Sequence, residues 1–170
     1  MDNEEAKNID HYYFRYYVLF SGTPGEAVTI EDTFDTTLLK YFDNTYASER
    51  LKVYTGGGFD EWGANSESGV TATVEETSTG LKLHVDALPE SQGFYKIYYY
   101  LEVKDAAAFK ELKQRAVNND GTYTFTNTAR IDGLGSSSAD AVYTNKDVIN
   151  KSFSTQTNSD GSKTNKISFT

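Results

Sequence analysis

Thr122 to Ile131, TYTFTNTARI, alternates strictly. Tyr123, Phe125, Asn127, Ala129 and Ile131 fall on one face of a strand, and four threonines and Arg130 on the other. The same period of two marks Ala27 to Phe34 (AVTIEDTF), with Val28, Ile30, Asp32 and Phe34 sharing a face. Further strands are predicted at Tyr12–Phe20, Leu51–Tyr54, Val70–Val74, Leu81–Val85, Phe94–Val103, Ala139–Tyr143, Asp147–Phe153 and Asn165–Thr170. Tyr12–Phe20 and Phe94–Val103 carry aromatic residues on both faces, so both sides of these strands need cover. One helix is predicted, Ala106 to Val117, with Asp105 as N-cap and Phe109, Leu112, Lys113 and Ala116 at helical spacing. Glycine, proline and polar runs punctuate the rest, including the turn Ser21–Gly25, the loop Thr55–Asn65, the Gly/Ser loop 133–138 and the polar loop 154–163. This order predicts an all-β protein, an antiparallel immunoglobulin-like β-sandwich with one short crossover helix, with a barrel as the other solution. Residues 1–147 form the sandwich domain, and residues 148–170 a C-terminal strand segment, either the start of a following repeat or a strand that docks elsewhere.

Two positions break the pattern. Asn127 and Asp32 each sit among core residues, where an unpartnered carboxamide costs roughly 1–3 kcal/mol and a carboxylate more. The two side chains either hydrogen-bond to each other or to backbone, or belong to a covalent cross-linking site. Both are expected to be buried, facing each other across the sandwich.

Composition narrows the chemistry. The chain has 170 residues, enough for one well-buried core, and its 13 Tyr and 10 Phe suit half-buried strand surfaces. A net charge of −9 argues against nucleic acid as a partner, since phosphates are bound by Lys and Arg. No apolar run is long enough for a membrane span, and the acidic start MDNEEAK lacks a signal peptide's basic region, so the chain reads as cytosolic or as a mature or excised piece. Cysteine is absent, which excludes disulfides and thiolate catalysis. Only His11 and His84 are present, neither in a triad-like pattern, and the two faintly calcium-like loops, 118–122 and 158–163, read as turns. No metal, cofactor or enzymatic turnover is expected. Phe59 and Trp62 lie on a glycine-rich loop and are the candidates for ligand contact.

The succession VTIEDTF, FYKIYYYLEV, TFTNTARI and ADAVYTNKDVINKSF, spanning roughly residues 12 to 153, resembles the immunoglobulin-like repeat domains of Gram-positive surface adhesins and pilus backbone proteins. Domains of that family form an internal Lys–Asn isopeptide bond. The resemblance implies that Asp32 is the proton relay and Asn127 the cross-linked amide. The lysine departs from the family's pattern. Lys7 precedes Asp32 as the family's lysine does but lies very near the first strand, while Lys151 fits the family's "v.Ks" segment, which there serves the next repeat.

The residue types suit this chemistry. Burial lowers a lysine's pKa toward the nucleophilic amine and raises that of an aspartate toward the acid form, which can hydrogen-bond to the carboxamide and relay protons as ammonia leaves. The resemblance thus implies a structural or adhesive module of a cell wall-anchored, extracellular protein, with neighbouring repeats as partners. The competing reading is a lectin-like domain that binds a glycan or a host matrix protein through Phe59 and Trp62.

Overall fold

The structure, a computed structural model, describes residues 12–56, 66–89 and 94–145, and the backbone alone of 151–157 and 163–169. Its elements run β1 (Tyr13–Phe20), β2 (Val28–Thr33), β3 (Leu39–Tyr41), β4 (Val53–Gly56), β5 (Ser66–Glu67), β6 (Ala72–Glu76), β7 (Gly80–Val85), β8 (Phe94–Val103), α1 (Ala106–Val117), β9 (Thr122–Ile131), β10 (Gly135–Thr144), β11 (Lys151–Thr157) and β12 (Lys163–Phe169). They form two five-stranded antiparallel sheets and a separate two-stranded one, the all-β sandwich that the alternation predicts.

In the first sheet β8 is central. It pairs with β1 on one side, and with β3 and β4 on the other, with β5 beyond β4. The second sheet has the order β10-β9-β2-β7-β6. The chain therefore crosses between sheets five times, from β1 to β2, β2 to β3, β5 to β6, β7 to β8, and β8 to β9 through α1. Strands β11 and β12 pair with each other, from Lys151 opposite Phe169 to Thr157 opposite Lys163.

The core follows from alternation. Val28 and Ile30 of β2, Leu81, Leu83 and Val85 of β7, and Phe125 of β9 face Tyr16 and Phe20 of β1 and Tyr95, Ile97, Tyr99 and Leu101 of β8. Helix α1 starts where Asp105 accepts a hydrogen bond from the Ala108 amide at 2.8 Å, and it buries Ala108, Phe109, Leu112 and Ala116. Its Arg115 reaches the Tyr123 hydroxyl at 3.1 Å and Asp35 at 3.2 Å, which fixes the helix against the start of β9. The outward face of the first sheet is aromatic too, and the Arg15 guanidinium and Lys96 ammonium each lie 5.2 Å from the centre of the Tyr98 ring.

Three differences from the sequence reading stand out. Of residues 133–138 only Gly133 and Leu134 belong to a connection, a tight turn in which the Leu134 amide donates to the Ile131 carbonyl, and β10 begins at Gly135. The strand at Lys151 extends to Thr157, into the stretch read as a polar loop. Short strands at Leu39–Tyr41 and Ser66–Glu67 complete the first sheet. Apart from Leu39–Tyr41, which is too short to read alone, these segments lack a clear apolar alternation, so tertiary pairing and not local pattern makes them strands.

Candidate functional site

β2 and β9 are neighbours in one sheet, with Asp32 opposite Ala129 and Ile30 opposite Ile131. Asn127, two residues from Ala129, therefore sits diagonally beside Asp32 on the inward face of that same sheet. Both are buried as expected, at 2% and 4% exposure, but they lie side by side and do not face each other across the sandwich. Periodicity assigns a residue to a face; it carries no information on which strands pair.

The group that does reach across is Tyr99 of β8. Its hydroxyl accepts a hydrogen bond from Asn127 Nδ2 at 3.1 Å. Tyr16 of β1 stacks on it, with ring centres 5.8 Å apart. Alternation puts Tyr99 on one face of its strand with Ile97 and Leu101, but a tyrosine in a tyrosine-rich strand gives no local sign of where its hydroxyl goes.

The polar atoms here are poorly satisfied. Neither carboxylate oxygen of Asp32, nor Asn127 Oδ1, nor the Tyr16 hydroxyl has a well-formed hydrogen bond among the described residues. Burial pushes the Asp32 carboxyl up to about 6; the nearby Tyr99 hydroxyl and Asn127 carboxamide pull it partly back, although neither reaches it in good hydrogen-bond geometry. Tyr99 and Tyr16 are held in the neutral form, first by burial and then by the charge of Asp32.

The site lies on a cleft of about 540 Å³ between β1 and β10, the edge strands on this side of the two sheets. Aromatic pairs close one end of the seam, Tyr12 on Tyr143 at 5.2 Å and Phe14 on Phe125 at 5.0 Å. Further along, the inward positions of β10 are Ala141, Ala139 and Ser137, opposite Phe125, Asn127 and Ala129. These side chains are too small to fill the space. Asp32, Asn127 and Tyr99 thus line the cleft together with Tyr16 and Val18.

Among the described residues no lysine lines this cleft. Lys96, the one buried lysine among the described residues, projects from β8 on the face opposite Tyr99 and lies over the rings of Tyr17 and Tyr98. Lys7, Phe59 and Trp62 lie outside the described residues, and of Lys151 the backbone alone is described, at the start of β11. No helix among the described residues is long and apolar enough to cross a membrane. No family model, curated protein or solved structure matches this chain.

The raised carboxyl has a consequence for stability. A folded-state pKa near 6 against the ordinary 3.8 means that the folded chain holds this proton more tightly than the unfolded one. The stabilisation is complete below pH 4 and is lost as pH rises through 6, a swing of roughly 3 kcal/mol at most. Denaturant melts between pH 4 and pH 7 are therefore expected to show a steeper loss of stability with rising pH in the wild type than in Asp32→Asn. Parallel slopes would show that Asp32 titrates normally.

Proposed function

We propose that the chain is a structural or adhesive module of a bacterial cell-surface protein, of the Gram-positive adhesin or pilus type, stapled by an intramolecular isopeptide bond between Asn127 and a lysine, with Asp32 as proton relay. One observation carries this reading. Three buried acceptor oxygens, two on Asp32 and one on Asn127, line an accessible cleft without adequate donors, and a primary amine is the group that supplies donors there.

The chemistry balances. Nζ of a neutral lysine attacks Cγ of Asn127 while protonated Asp32 lends its proton to Oδ1. The resulting carboxylate takes one proton from Nζ and passes it to Nδ2. Collapse breaks the Cγ–Nδ2 bond, Oδ1 returns the borrowed proton to Asp32, and ammonia leaves. The raised pKa of Asp32 keeps its acid form accessible near neutral pH, as both the first and the last step require. The only reaction is directed at the chain itself, so the module turns over no external substrate. Such a bond resists reduction and pulling, as a cysteine-free stalk of extracellular repeats needs.

Lys7 and Lys151 are the two candidate partners. Intact mass under denaturing conditions is expected to fall short of the sequence mass by one ammonia in the wild type, and to match it in Asn127→Ala and Asp32→Ala. Fragmentation of the linked peptide then names the lysine. If Lys151 instead reaches Asn127 of another copy, boiled samples give a ladder that disappears in Lys151→Ala. A wild-type chain of full mass running as a single band overturns the proposal.

A further inference from the structure

The relay just described leaves one transfer without a path, the delivery of a proton to the departing nitrogen of Asn127. Tyr99 stands at that position. Its hydroxyl is already on Nδ2 at 3.1 Å, accepting from it, so the phenol's own proton is free to point elsewhere. Asp32 lines the same cleft beside it, and neither of its carboxylate oxygens has a well-formed hydrogen bond. One oxygen thus holds the leaving nitrogen and stands near the carboxyl that carries the proton.

Building on the isopeptide reading, we propose that Tyr99 is a catalytic residue of the coupling, conducting the proton from Asp32 to Asn127 Nδ2. In the tetrahedral intermediate Nδ2 has become an amine with a lone pair, so the Tyr99 hydroxyl turns its proton onto it; as the intermediate collapses, the Asp32 acid gives its proton to the Tyr99 oxygen and the phenolic proton moves to Nδ2. The Cγ–Nδ2 bond breaks with its electron pair on nitrogen, so ammonia leaves and Tyr99 ends as it began, a neutral phenol. A phenolate is never required, which matters because Tyr99 is 2% exposed and charge there is disfavoured. The hydrogen bond also selects one of the two orientations of the carboxamide. It holds Nδ2 toward the hydroxyl and leaves Oδ1 without a partner, so the leaving group and the oxygen to be polarised are distinguished before the amine arrives.

The clock for the test is ammonia loss, followed by intact mass after pulse synthesis of the full chain. Tyr99→Phe is expected to couple at least about a hundredfold more slowly than wild type, the lower end of what a positioned acid contributes. Tyr98→Phe, on the outward face of the same strand, is expected to keep the wild-type rate. To separate proton transfer from packing, 3-fluorotyrosine at position 99 retains the ring and hydroxyl but acidifies the phenol. A changed rate is expected, whereas a rate equal to wild type assigns Tyr99 a packing role and overturns the proposal. Coupling of Tyr99→Phe at the wild-type rate overturns it as well. If the wild-type chain loses no ammonia, the isopeptide reading itself fails. Wild-type loss with an indifferent position 99 defeats this inference alone.

Discussion

Asn127→Ala is expected to be the most damaging single change in the site, lowering stability at pH 7 by about 4 kcal/mol or more, because two losses add. The first is the cross-link. In the chain-entropy estimate, closing a loop of about 24 residues to Lys151 stabilises by about 3 kcal/mol, and one of about 120 residues to Lys7 by about 5 kcal/mol. The second is local. With alanine no amide, uncoupled or cross-linked, stands beside the Tyr99 hydroxyl and Asp32, and the two buried groups lose the polar neighbour that eases their burial. Asp32→Asn abolishes the same bond but also removes a buried carboxylate that lacks good donors, a change that by itself stabilises at neutral pH. The expected order of denaturation midpoints is therefore wild type, Asp32→Asn, then Asn127→Ala. Equal midpoints for wild type and Asn127→Ala would reduce the site to ordinary polar packing. The size of the loss also distinguishes the two lysines, independently of mass analysis.

The second large effect is expected at Gly80, where β7 begins opposite Thr33. Its φ is +157°, and a Cβ at this position would stand 1.8 Å from the backbone oxygen of Asp32. That oxygen belongs to the ladder and cannot swing aside as a flexible side chain would. Gly80→Ala must therefore separate β7 from β2 or twist β2 at the residue that carries the site, at a cost of about 3 kcal/mol or more. Gly25 provides the contrast, since its φ of +81° is strained for alanine but nothing lies within 4 Å of the added carbon. Gly25→Ala is expected to lose only about 1 kcal/mol. Thermal melts of both variants check the pair, and similar losses would show that contact with the Asp32 backbone is not what Gly80 avoids. Coupling should slow in Gly80→Ala, because the carboxyl moves with its backbone.

Much of this was legible in the alternation. The two long strands β8 and β9, the helix with its aspartate cap, and the burial of Asp32 and Asn127 follow from period and polarity alone. Strand partnership does not follow, because alternation is identical whether two strands share a sheet or oppose each other. Asp32 and Asn127 therefore came out as diagonal neighbours where a cross-sandwich pair was expected. Tyr99 stayed hidden for a related reason, since its role depends on contact between residues 28 positions apart. The start of β10, GSSS, reads as loop by composition. It is a strand because β9 offers it a full ladder from Ile131 to Thr122, and no core has to be filled by its small side chains.

That ladder is one-sided. β10 pairs with β9 along its whole length, and among the described residues its other edge meets no strand. In an antiparallel pair, alternate residues send their amides to the partner and the rest send them outward. Deuterium uptake along β10 should therefore rise and fall with every second residue, the inner amides exchanging at the pace of the sandwich and the outer ones at nearly that of free peptide. Any chain segment that comes to lie along this seam would flatten that sawtooth, so the exchange pattern of one strand reports whether the edge is occupied before any covalent bond is sought.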